Sequence, residues 1–297
     1  MFRGGEWKAC AAPAPSAIRK IVAHASFFGD DRRGLSARSI PAPAKINLFL
    51  AVTGRRPDGF HDLVSVAAPL LWGDTVEIEA GGHSFTVECD NREVPTDASN
   101  LVIRAAAEFA KATGRAGGAH FRIAKRIPFG AGLGGASSDA ASVLEALNEA
   151  AGGPLDAAAL ARVASAVGSD CALFLAKGPV VMRGRGERVE PLPKEAYSRI
   201  RGMRVLIFKP GFAIPTPWAY GRLAAEAPRG YVAASRAEAM LASWIAKPGA
   251  SAGALLFNSM ERAAFAKFPA LPVLLERLSS QFGDQLEPNY PAGPGGP

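Results

Sequence analysis

Four glycines within six residues, Gly130, Gly132, Gly134 and Gly135, stand between a strand-like and a helix-like stretch of the chain. Glycine lets a backbone come close to a ligand and turn its amides inward. A helix starting just beyond offers free N–H groups and a positive end, so the pattern suits a phosphate. Ser137 and Ser138 are expected to open that helix, with capping as the plain alternative to a ligand role. No Lys precedes Ser137, which excludes the G-x-x-x-x-G-K-[ST] loop. The dinucleotide pattern G-x-G-x-x-G is met by Gly130, Gly132 and Gly135. Its context is wrong, because charged Lys125 and Arg126 and then Pro128 come directly before it. The acid about twenty residues further on, Asp156, stands where a helix cap is expected.

Three other positions carry chemistry. Lys45 and Asn47 are two apart on a strand-like run and so share a face, where an ammonium can orient a hydroxyl and stabilise developing negative charge. A lone Lys is more simply a solvated charge. Asp170 follows Gly168 and Ser169 and precedes the apolar run 171–175. It reads either as a helix cap or as a carboxylate pointing into a cleft, able to act as a general base. His61 offers one donor and one acceptor at neutral pH, or is an ordinary turn histidine. Cys10, Cys89 and Cys171 are too dispersed for a disulfide framework or a zinc site.

Elements must hold these residues. The run 45–52 reads as a strand whose period of two places Lys45, Asn47 and Phe49 on one face and Ile46, Leu48 and Leu50 on the core side. Residues 75–79 and 84–88 read as a hairpin around Gly81 and Gly82. A helix is expected over 99–113, capped by Ser99 and stopped by Gly114, then a strand over 120–127. Helices follow to about Ala150 and over 155–167. Pro, Lys and Glu crowd 191–198 and mark a boundary between two halves. The second half opens with a clear strand at 203–208, with helices at 235–245 and 271–280. Without a regular parallel βαβ rhythm, an α+β fold in two lobes is expected.

Composition bounds the rest. At 297 residues, 48% hydrophobic and 21% charged, the chain is an ordinary globular protein. Its net charge of +7 is uneven, since residues 1–39 hold seven Lys and Arg against three Asp and Glu. The mild excess on the body suits anionic phosphates, and no basic run interleaved with aromatics points to nucleic acid. No apolar run approaches the ~18 residues of a membrane span, so no membrane role is expected. Residues 1–39 read as a flexible extension and the protein as cytoplasmic, a monomer or homodimer.

The segment Pro128-Phe129-Gly130-Ala131-Gly132-Leu133-Gly134-Gly135-Ala136-Ser137-Ser138 resembles the ATP loop of the GHMP superfamily of small-molecule kinases. Residues 43–48, followed by 54–61, are similar to the first motif of the branch acting on cytidine diphosphate-linked methylerythritol. Gly168-Ser169-Asp170 and the run 211–217 fall in the family's order, and the resemblance spans about 40–283. It implies an N-terminal ribosomal-protein-S5-like domain over 40–195 and a C-terminal α/β-plait domain over 196–297. It also implies ATP and Mg²⁺ as cofactors, held at 128–138, and Lys45 and Asp170 as the catalytic residues. Asn47, Phe60, His61, Thr216 and Tyr220 become the expected contacts of a small-molecule substrate, with Phe60 where the family commonly has Tyr. No metal ligand is assigned; Ser138 is the best hydroxyl. The family's third glycine-rich motif, [MLA]-S-G-S-G-[AGP], is not found after Phe282 and Gly283, where the sequence turns rich in Pro and Gly. A homoserine or mevalonate kinase, and a nucleotide-binding relative without catalysis, are the alternatives.

Overall fold

The computed structural model describes residues 38–212 and 214–282. The extension expected at the N-terminus lies almost wholly outside them, as does the Pro/Gly-rich run after Phe282. In chain order the elements are β1 (Arg38–Arg55), β2 (His61–Ala80), β3 (Phe85–Cys89), α1 (Leu101–Thr113), β4 (Ala119–Ala124), α2 (Gly135–Ala150), α3 (Ala157–Val167), α4 (Cys171–Phe174), β5 (Val180–Gly184), β6 (Arg188–Pro191), α5 (Lys194–Ser198), α6 (Thr216–Ala225), α7 (Ala234–Ala246), β7 (Phe257–Asn258), α8 (Glu261–Lys267) and α9 (Ala270–Phe282).

The sheet is organised by one long antiparallel hairpin. β1 and β2 run for 18 and 20 residues and pair along their length. On its other edge β2 pairs β5 through Leu63–Ala67 and β4 through Thr75–Ala80, so two strands share one partner and the sheet curls. Both faces of the hairpin are covered, which is why residues 63–68 are buried without alternation. Val64, Val66 and Ala68 pack with Leu241 and Trp244 of α7, while Leu63 and Ala67 pack with Ala141 of α2 and Leu173. A third cluster joins α1, α2 and α3 to β2 and β4, with Phe109, Phe121 and Leu144 fully buried. Among the described residues no helix is long and apolar enough to cross a membrane.

Three expectations change. β1 is bulged between Asn47 and Phe49, which resets the period of two, and Phe49 is buried in the core beside Leu48 instead of sharing the face of Lys45. Residues 75–79 and 84–88 are both extended, but they do not pair: β4 lies between them, antiparallel to β2 and parallel to β3. A Cβ on Gly118 would lie 2.3 Å from the Ser84 carbonyl oxygen, so the close entry of β4 beside β3 requires glycine there. Residues 203–208 form no strand, and Leu206 and Phe208 are each 53% exposed; no described strand supplies ladder partners for that backbone. The cap of α1 also moves by one residue. Asn100 Oδ1 accepts from Val102 N at 2.9 Å, while Ser99 Oγ donates to Asp97.

Candidate active site

The glycine-rich loop is held at both ends. Beyond β4, Asp74 Oδ1 accepts from the amides of Arg126 and Ile127 at 2.6 and 2.7 Å. Lys125 Nζ donates to Asp74 Oδ2 and to Asp139 Oδ2, the latter at 2.9 Å. The loop then turns through Gly130, Gly132 and Gly134 at φ of +66°, +74° and +76°, a region that favours glycine. Ser137 and Ser138 do not open α2, which begins at Gly135 with Gly134 as its cap and no side-chain cap bond. Ser138 therefore lies inside the first turns, its Oγ buried without a hydrogen-bond partner among the described residues. The amides of the first helical turn have no carbonyl of their own helix to bond and remain available to an anion. The loop, with Val94, Ser99, Lys125 and Asp139, lines a cavity of about 290 Å³.

Burial pushes the Asp139 carboxyl up to about 7 despite the ammonium beside it, and the charge of Asp74 adds to the shift. Burial opposes the charge on Lys125, yet Asp139 and Asp74 together raise its pKa. The two directions are compatible, because one ammonium offsets one carboxylate and the second carboxyl is left to bear the cost of burial.

Lys45 sits one hydrogen bond from this loop. Its amide donates to the Leu133 carbonyl at 2.8 Å, and its Nζ donates to Asn47 Oδ1 at 3.0 Å and lies 3.6 Å from Asp170 Oδ2. Lys45 is buried, so it is not the solvated strand charge that a lone Lys suggests. Asp170 occupies the cap position of α4, but its side chain makes no cap bond; it faces Lys45 and stays about one-third open to solvent. Gly134 packs against Lys45 and Phe174. A Cβ there would lie 2.9 Å from Lys45 Cγ and 2.9 Å from Phe174 Cζ.

A second group of side chains collects at the turn end of the hairpin. His61 pairs with Arg55 across the strands, and its ring stacks on Tyr220 at 4.7 Å with 30° between planes. Its Nε2 is 3.2 Å from Tyr231 Oη. Burial, then the charge of Arg55, holds the imidazole below its ordinary pKa. Phe60 is 55% exposed, with the Arg185 guanidinium carbon 4.8 Å from its ring centre. Thr216 is exposed at the start of α6, and Tyr220 lies one turn further along. The Tyr220 hydroxyl is raised chiefly by burial and further by the charge of Asp170, which brings this group within electrostatic reach of the first.

The model of the GHMP kinases N terminal domain matches residues 100–178, which contain the loop, α2 and Asp170. A crystal structure of 4-(cytidine 5'-diphospho)-2C-methyl-D-erythritol kinase superposes with a TM-score of 0.62 at 33% identity, covering 82% of this chain and 83% of that one. The 4-diphosphocytidyl-2-C-methyl-D-erythritol kinase of Methylacidiphilum infernorum is 36% identical over 247 residues, 82% of this chain and 80% of its own. The chain belongs to the 4-diphosphocytidyl-2-C-methyl-D-erythritol kinase family. The relative of that name from Gloeothece citriformis is 33% identical over 264 residues, 84% of this chain and 82% of its own.

Membership of this kinase family agrees with the fate of the dinucleotide reading, because Asp156 caps α3 by accepting from Ala159 N at 2.7 Å. Sequence reasoning overlooked Asp74, Asp139, Tyr231 and Arg185, and used Lys125 only as a charge that disfavours a dinucleotide loop. Asp74 is some fifty positions from the amides it holds, and no spacing rule joins such partners. Asp139 directly follows Ser138 and could have been found as an acid one helical turn beyond the loop.

Proposed function

We propose that this chain transfers the γ-phosphoryl group of ATP to the 2-hydroxyl of 4-diphosphocytidyl-2-C-methyl-D-erythritol, in the non-mevalonate route to isoprenoid precursors. The observation that carries the reading is the placement of Lys45. Its ammonium reaches Asn47 and Asp170, and its backbone is bonded to the loop that would cradle the phosphates. Asp170 takes the proton of the attacking hydroxyl while that oxygen bonds to phosphorus and the bond to the β-phosphate oxygen breaks, releasing ADP. Lys45, 3.6 Å from the Asp170 carboxylate, steadies the charge that develops on the hydroxyl oxygen. Asn47 orients the ammonium and the sugar-like end of the substrate.

The amides from Gly132 to Ser137 bind the phosphates, the range stopping short of Ser138 because its amide donates to the Gly134 carbonyl at 2.9 Å. Magnesium, when bound with ATP, neutralises phosphate charge. Ser138 Oγ, buried and without a hydrogen-bond partner among the described residues, would be the hydroxyl to supply an oxygen to it. His61 reads the edge of the cytosine, Phe60 and Tyr220 supply aromatic faces, and Thr216 contacts the ligand nearby. The machinery divides between a domain over 40–195 and a second over 196–297, in a cytoplasmic enzyme that is a monomer or homodimer.

Competition with cytidine 5'-diphosphate tests the substrate class. The nucleotide is expected to compete with the diphosphocytidyl substrate, and His61→Ala to weaken that competition about tenfold, the value of one well-placed hydrogen bond. Indifference of the folded protein to cytidine nucleotides would sink the assignment and leave a kinase for another alcohol.

A further inference from the structure

Asp74 stands outside the loop, yet controls its approach. Its side chain is fully enclosed, and the residue before it leaves no freedom: a Cβ on Gly73 would lie 2.1 Å from the Ala42 carbonyl oxygen of β1. One carboxylate oxygen takes the amides of Arg126 and Ile127, the last two residues before Pro128. The other takes the Lys125 ammonium, which passes on to Asp139 in α2 at 2.9 Å. Gly135, where the loop becomes helix, rests on the same group: a Cβ there would lie 3.0 Å from Lys125 Nζ and 3.2 Å from Asp74 Oδ2. The entry of the loop and its exit into α2 are thus fastened to one point on β2.

Stability alone does not account for this choice of residues. Two carboxylates and an ammonium taken from water cost more than a well-packed apolar trio of similar volume, so such a cluster is weak evidence of stabilisation. What it fixes is orientation. A loop with three residues at positive φ has many accessible shapes, and amides bind a phosphate only when they are already aimed at it.

We propose that Asp74 is a positioning residue for phosphoryl transfer: through Lys125 and the amides of Arg126 and Ile127 it holds the glycine-rich loop in its nucleotide-binding shape before the nucleotide arrives. The inference rests on the kinase reading above. Asp74→Asn keeps the size of the side chain and one acceptor oxygen but removes the charge opposite Lys125.

Calorimetry on the full chain measures the two affinities separately. ATP binding by Asp74→Asn is expected to weaken about tenfold or more, the loss of one charge-assisted hydrogen bond, while binding of the diphosphocytidyl alcohol stays within about twofold. Failure of the unaltered chain to bind ATP would sink the kinase reading itself. Normal ATP binding by both forms would overturn the positioning role alone, and so would a parallel loss of both affinities, which marks general damage. If Asp74→Asn does not fold, amide exchange in the unaltered chain decides the matter. The Arg126 and Ile127 amides are expected to be protected without nucleotide; fast exchange that slows only when ATP is added would overturn the proposal.

Discussion

Lys45 and Asp170 gain meaning from each other. A buried ammonium needs partners, and this one has an amide oxygen at 3.0 Å and a carboxylate at 3.6 Å that stays partly open to a ligand. Asp170→Asn is expected to leave ATP affinity unchanged and to lower turnover by about 10²–10⁴-fold, the usual worth of a general base, as read by steady-state ADP release and calorimetry. Activity within a few-fold of the parent would remove Asp170 from that role. His61 gives a pH signature. Its pKa is lowered in the folded chain, so the unfolded chain binds more protons as pH falls, and the contribution present above the ordinary value of ~6.5 is lost as pH drops from there through the lower value of the folded chain. Urea midpoints measured across that range should fall less steeply in His61→Gln than in the parent. At this scale the sequence alone left each residue with a plain reading. Capping for Asp170 and exposure for Lys45 were removed by tertiary contacts between positions more than a hundred residues apart.

At the level of elements, the loop and α2 were the most legible parts, because positive-φ glycines and an apolar helix are local signals. Gly134 is the sharpest test of that segment. Gly134→Ala places a methyl against Lys45 and Phe174 at φ +76°, costing ~1–2 kcal/mol from backbone conformation before any repacking. Chemical denaturation should show that loss, and ATP affinity should fall with it. The elements misread from sequence share one physical cause. The glycine pair 81–82 signals a turn but not which strands flank it, and β4, which begins only at Ala119, takes the place beside β2. The bulge at residues 47–49 breaks the strand period that would have placed Phe49, and the apolar pattern of 203–208 predicts a strand that needs a partner it does not have among the described residues.

Over the whole molecule, the α+β class was legible from the order of apolar segments, and the family from two motifs joined by spacing. The packing that brings α7 onto the β1–β2 hairpin was not, since neither segment names its partner. Leu241 lies in that contact, 1% exposed, and Leu241→Ala is expected to destabilise the chain by about 2–5 kcal/mol in urea titration, with no change in the ratio of the two substrate affinities. The same hairpin carries Lys45 on one strand and His61 at the start of the other, so a single element sets the distance between the Lys45–Asp170 pair and the aromatic group. The most direct measurement is ADP release by the purified 297-residue chain with ATP and magnesium, using diphosphocytidyl-methylerythritol, homoserine and mevalonate in parallel. Release with the cytidine-linked alcohol alone is the expected result; release with either of the others instead, or none from a folded chain that binds ATP, would contradict it.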